Sequence, residues 1–148
     1  MDECIFCKIV KGEIPSKKVY EDDDVIAFLD INPANKGHTL VTSKKHYESI
    51  YDVDEEVLKK LIVVVKQLAD KIKNSLGCDG MNIVQNNGKH AGQLVNHIHF
   101  HIIPRFQGDK VLITYQRSQL TEEELNEIQK KLEEDKEPLK SIETDFNF

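Results

Sequence analysis

The sequence predicts an α+β domain: a mainly antiparallel sheet of five strands, one long packing helix and a second helix near the C-terminus. Three observations predict it. Short runs rich in β-branched and apolar residues recur at about 17–21, 25–30, 38–42, 81–86 and 92–105, separated by turn residues. One stretch, 54–76, is instead apolar at helical spacing. The chain has 148 residues, the length of one ordinary domain able to bury a real core.

Each element has its own local cause. Residues 4–10, Cys-Ile-Phe-Cys-Lys-Ile-Val, predict two helical turns ended by Gly12 and Pro15. Runs 17–21 and 25–30 form a hairpin around the acidic turn Asp22-Asp23-Asp24, and Asn32 to Gly37 is a loop into a third strand with Leu40 inward. Val57, Leu61, Val64, Val65, Leu68, Ile72 and Leu76 give the long helix its buried face. Asp52 or Asp54 caps its start and Gly77 suits the left-handed residue past its end. Met81 to Asn86 is a fourth strand, turned through 87–92 into an antiparallel fifth. Val111 to Thr114 is either a further edge strand or a lead into the last helix. That helix starts at the capping box Thr121-Glu-Glu-Glu124 and runs to about Asp135, with Pro138 beyond it and a tail that is loose or docked through Phe146 and Phe148.

Composition narrows the function classes. With 20 basic and 26 acidic residues the formal charge is −6, and no basic patch extends beyond Lys-Lys pairs, against a partner that is a nucleic-acid polymer. No apolar run approaches membrane-spanning length and the acidic Met-Asp-Glu-Cys start lacks signal-peptide character, so a cytoplasmic protein is expected. The three cysteines, an odd number, argue against a disulfide framework. Cys4-x-x-Cys7 brings two thiols within reach of one metal ion. His46 and His97 would complete a Cys2His2 set for zinc, the alternative being two small buried thiols.

The chemistry concentrates in residues 92–105, Gly-Gln-Leu-Val-Asn-His-Ile-His-Phe-His-Ile-Ile-Pro-Arg. On a strand, His97, His99 and His101 share one face and Ile98, Phe100 and Ile102 the other. Same-face residues lie about 7 Å apart, so the middle ring can be oriented by its neighbours while one nitrogen stays free. A single such histidine is ordinarily a packed or solvated residue. Three in strict alternation carry a desolvation cost that a use must justify.

The run His97-Ile-His99-Phe-His101-Ile-Ile, with Ala-Gly-Gln-x-Val before it and Pro104-Arg105 after it, resembles the histidine triad family of nucleotide hydrolases and transferases, and in particular its bacterial and nucleoside phosphoramidase branch. The resemblance covers about residues 3–106, leaving 107–148 as a C-terminal extension of a single domain, 1–148. It implies the strand order, and a homodimer paired through the long helix and an adjoining strand into a continuous sheet. It implies His99 as a nucleophile on the α-phosphorus of a purine nucleotide (an AMP or GMP derivative), with His101, His97 and His38 in support.

Asp30 would take the ribose hydroxyls, where residues alone suggest a turn. Phe6, Ile14 and Phe28 would line the base, with core packing as the competitor. Asn86, Gly92, Gln93 and the backbone of Leu94 would sit near ribose and phosphate. The resemblance also implies a structural zinc on Cys4, Cys7, His46 and His97, while a histidine nucleophile with preorganised donors requires no catalytic metal.

One departure matters, and one match chooses between branches. Leu94 stands where mammalian phosphoramidases carry a serine, so that branch's substrate preference does not transfer. His101, where the nucleotidyl-transferase branch has glutamine, points to hydrolysis. The alternatives are a dinucleoside polyphosphate hydrolase, a non-catalytic nucleotide-binding regulatory module, or a metalloprotein using His97 and His99 as ligands.

Overall fold

A computed structural model describes residues 3–134 and 139–140. The chain divides into two compact units, Met1–Leu112 and Ile113–Phe148. In the first unit the order is α1 (Ile5–Val10), β1 (Lys18–Glu21), β2 (Val25–Leu29), β3 (Thr39–Ser43), α2 (Glu55–Leu76), β4 (Gly80–Gln85), a 3-10 turn (Lys89–Ala91) and β5 (His99–Arg105). The five strands form one antiparallel sheet in the order β1-β2-β3-β5-β4.

Both faces of this sheet are covered, which is why β2 reads as the unbroken apolar run Val-Ile-Ala-Phe-Leu. Val25, Ala27, Val41, Phe100 and Ile102 pack on one face against Leu61, Val64, Val65 and Leu68 of α2. Ile26, Phe28 and Leu40 pack on the other face with Phe6 of α1. The alternation along β5 therefore sends Phe100 and Ile102 to the long helix, and His99 and His101 to the side that α1 covers. α2 begins where Asp54 accepts the Glu56 N–H and ends at Gly77, whose φ of 65° is left-handed.

The fifth strand is shorter than the sequence predicts, because residues 92–98 are not in the ladder. Pairing with β3 runs from Thr39↔Ile102 to Thr42↔His99 and stops there. Thr42 Oγ1 then donates to Ile98 O at 2.6 Å and Ile98 N–H donates to Tyr47 O at 2.8 Å. These bonds capture the peptide that would have continued the strand, so His97 leaves the β5 face. Val111 to Thr114 form no strand; Val111 O instead accepts from Arg105 Nη2 at 2.7 Å.

In the second unit, α3 spans Glu122–Glu134. Its capping box is formed, with Glu124 N–H donating to Thr121 Oγ1 at 3.1 Å and Thr121 N–H to Glu124 Oε2 at 2.8 Å. Asp135, Pro138, Phe146 and Phe148, which bear on the expected helix end and tail, lie outside the described residues. Among the described residues, no helix is long and apolar enough to cross a membrane.

Gly37, immediately before His38, is constrained twice: its φ is +86°, and a Cβ there would lie 2.5 Å from Leu76 Cδ1 and 3.1 Å from Pro104 Cγ. Gly77 has only the left-handed backbone and open space around it. Urea unfolding is predicted to show Gly37→Ala costing about 2 kcal/mol or more and Gly77→Ala about 1 kcal/mol. Equal costs would contradict the close approach at Gly37.

Candidate active site

On the α1 face of the sheet lies a cleft of about 420 Å3. Its lining combines apolar Phe6, Ile9, Ile14, Phe28, Leu40 and Leu94 with Asp30, Asn86, Gly92, His99 and His101. Leu94 is 93% exposed and Asp30 also holds a turn, its Oδ1 accepting the Asn32 N–H at 2.8 Å. An apolar lining with a few convergent polar groups is the ordinary form of a small-ligand site.

The hydrogen bonds fix which nitrogen of each ring carries a proton. His99 Nδ1 lies 2.6 Å from His97 O, and a carbonyl only accepts, so Nδ1 bears the hydrogen and Nε2 keeps its lone pair. Ala34 N–H donates to His38 Nδ1 at 2.9 Å, which places the His38 proton on Nε2. That proton faces His101 Nδ1 at 2.9 Å, with Asp30 Oδ2 at 3.6 Å. His101 therefore carries its own hydrogen on Nε2. Ring centroids of His99 and His101 are 5.0 Å apart, so the cleft contains one free imidazole lone pair beside one imidazole N–H.

Burial keeps these rings neutral. Desolvation, first of all, lowers His38 and His99 below the ordinary imidazole value, against smaller raising effects of the hydrogen bond to His97 O at His99 and of the Asp30 charge on both. His101 falls to about 4, through burial and then the nearness of His99 and His38. A neutral His99 is the form that can attack an electrophile.

The structure places the remaining sequence-predicted residues differently. His97 does not line the cleft: its ring is fully buried and only its carbonyl reaches His99. The expected row of three rings splits because β5 begins at His99. Gln93 is also turned away. Its Oε1 accepts the Gly88 N–H at 2.7 Å, and its Nε2 donates to Glu48 O at 2.7 Å and Val95 O at 3.0 Å. This side chain braces the 88–95 loop, with both amide hydrogens spent on backbone carbonyls. Ile9 and Leu40 line the cleft without having been singled out as such in the sequence. Ile9 lies one helical turn beyond Phe6, a spacing that could have identified it.

The His97 ring joins Cys4, Cys7 and His46, whose ligand atoms all lie within 4.8 Å of one another. His97 Nε2–H donates to Ser43 O at 2.7 Å, which leaves the Nδ1 lone pair aimed at Cys4 Sγ (3.4 Å) and Cys7 Sγ (3.6 Å). His46 Nδ1 meets Cys7 Sγ at 3.4 Å and His97 Nδ1 at 3.2 Å. Two sulfurs and two imidazole nitrogens converging on one point, one ring already locked in the ligating tautomer, fit tetrahedral zinc. Asp30, His38 and His101 form a second metal-like group. It fits a cation poorly, because Ala34 forces the His38 proton onto the very nitrogen that would have to ligate.

Residues 11–108, well over half of the chain, match the HIT domain family. The chain belongs to the HIT family. An uncharacterized HIT-like protein of Methanocaldococcus jannaschii is 58% identical over 112 residues, covering 76% of this chain and 86% of that one. The adenosine 5'-monophosphoramidase of Schizosaccharomyces pombe is 45% identical over 102 residues, covering 69% and 74%. A crystal structure of a HIT family member from Bacillus subtilis superposes with a TM-score of 0.85 at 40% identity, covering 94% of this chain and 99% of that one. A zinc-bound histidine triad protein of Mycobacterium smegmatis gives a TM-score of 0.72 at 38% identity, covering 79% and 85%. The α+β fold with its five-stranded antiparallel sheet is thus that of HIT proteins.

A depressed His101 contributes stability that is whole above the free imidazole value and is lost as pH falls toward about 4. Replacing it with a residue that does not titrate removes that loss. In chemical denaturation, His101→Gln is predicted to lose less stability between pH 7 and pH 4.5 than the wild type. An equal loss would contradict the assignment.

Proposed function

We propose that this HIT protein hydrolyses purine nucleoside 5'-monophosphoryl compounds at the α-phosphorus, as a phosphoramidase-like enzyme. The observation that carries the reading is the free Nε2 lone pair of a neutral, buried His99 in the cleft, its proton held on the far nitrogen by His97 O. A relative named adenosine 5'-monophosphoramidase supports the substrate class.

In this reading the purine lies in the slot formed by Phe6, Ile9, Ile14, Phe28 and Leu40. Asp30 accepts hydrogen bonds from the ribose hydroxyls, and Asn86 and the backbone around Gly92 and Leu94 flank the phosphate. His99 Nε2 attacks phosphorus, the P–N bond of a phosphoramidate breaks, and the leaving amine departs with a proton from water. The nucleotidyl-His99 intermediate divides one difficult displacement into two easier ones. His101 Nε2–H donates to a non-bridging oxygen as charge builds there. Water then attacks the same phosphorus, releasing the nucleoside monophosphate and returning His99 to its neutral form.

His38 is a positioning residue, acting on the phosphate only through His101. Zinc on Cys4, Cys7, His46 and His97 would supply a cross-link between α1 and the sheet, a reading supported by the zinc-bound relative. The same reading takes the protein to be a cytoplasmic homodimer. Pairing through α2 and β4 is supported by half-exposed Ile62 and Val63 on the helix and Ile83 on an edge strand.

Steady-state hydrolysis of adenosine 5'-phosphoramidate tests the reading. His99→Ala is predicted to lower kcat on the order of 10³-fold or more while AMP still binds. Unchanged turnover in the variant would remove the nucleophile, and AMP binding without wild-type turnover would favour a regulatory binding module. Asp30→Asn is predicted to raise KM by about tenfold with a smaller change in kcat. An unchanged KM would contradict the ribose contact.

A further inference from the structure

The Cys2His2 cluster and the cleft are neighbours, and two residues connect them. His97 turns its ring to the thiols while its carbonyl holds the His99 proton. Phe6 sits between Cys4 and Cys7 on α1. Its ring meets His97 edge-on at 5.9 Å, His99 at 5.0 Å and Phe28 at 5.5 Å. One aromatic ring is therefore the partition between the ligand cluster on one side and the nucleophile and base slot on the other.

The element carrying Phe6 cannot hold itself in place. α1 has six residues, far below the length at which an isolated helix persists in water. Phe6, Ile9 and Val10 pack it on the sheet, and Cys4 at its cap and Cys7 one turn on, which would ligate a metal, tie it further to His97 and His46. An ion joining Cys4 and Cys7 to His46 and His97 fixes the turn, and with it the face that Phe6 and Ile9 present to the cleft. A ligand entering a fixed wall does not have to order that wall, so less of its contact energy is lost.

We propose that metal occupancy of Cys4, Cys7, His46 and His97 and the binding of a nucleoside monophosphate in the cleft are thermodynamically linked, each tightening the other, with Phe6 as the positioning residue that transmits the linkage. This rests on the nucleotide reading of the cleft. Linkage is reciprocal, so one factor governs both directions. The metal then acts on the affinity of the site without touching the phosphate.

Titration calorimetry of AMP into the full chain, zinc-loaded and chelator-stripped, with circular dichroism to verify the fold, measures one direction. Competition between the protein and a chromophoric chelator for zinc, with and without saturating AMP, measures the other. The expected result is AMP binding about fivefold or more tighter with zinc, and zinc binding tighter with AMP by the same factor. In Phe6→Leu the factor falls toward one. In Ile14→Ala, which alters the cleft wall beyond α1, AMP binding weakens and the factor persists.

If the stripped chain loses its fold, the chelator competition on wild type and Phe6→Leu decides alone, and an equal factor in the two overturns the role of Phe6. AMP binding with a factor of one in both directions overturns the linkage while leaving the nucleotide reading intact. A zinc-loaded chain that does not bind AMP overturns the nucleotide reading, and the linkage with it.

Discussion

The proton on His99 Nδ1 is committed to the carbonyl of His97, 2.6 Å away, and the site depends on that contact. It requires the His97 peptide to be held where a regular strand would not leave it. Thr42 Oγ1 takes Ile98 O and Tyr47 O takes the Ile98 N–H, so the ladder closes at His99 and the preceding carbonyl is free to face the ring. Thr42 and Ile98 are fully buried, which makes both bonds costly to lose. His99 thus takes its tautomer from the end of a β-ladder.

The same logic separates the two clusters of ligating side chains. A backbone carbonyl, Ser43 O, claims His97 Nε2 and leaves Nδ1 a ligand; a backbone N–H, Ala34, claims His38 Nδ1 and leaves Nε2 a donor. Side chains of the same type are thereby given opposite chemistry by one main-chain group each. Around Ala34 the loop is itself fastened, since Asn35 Nδ2 donates to Pro104 O and to Asp109 Oδ2, both at 3.0 Å. Asp109, held well below the usual carboxylate range by Arg105, accepts from that guanidinium at 2.9 and 3.0 Å. The end of β5 and the loop that orients His38 are one braced unit.

Elements governed by neighbouring residues were legible in the sequence. The bounds of α2 follow from Asp54 and Gly77, and the Thr121 box marks the start of α3. What depends on distant partners was not legible. The departure of His97 from the strand needs Thr42 and Tyr47, and the inward turn of Gln93 needs the Glu48 carbonyl. The donor to His38 is a main-chain amide, which no side-chain identity announces. For Val111 to Thr114, a β-rich composition did not yield a strand, and Val111 O is engaged by Arg105 instead.

Nitrogen-15 spectra of the histidine rings at neutral pH bear most directly on the site. A protonated Nδ1 and an unprotonated Nε2 at His99, converting to the opposite pattern at His101, are the predicted result. A His99 proton on Nε2, or an imidazolium at that position, would contradict it, because the ring would then have no lone pair to direct into the cleft.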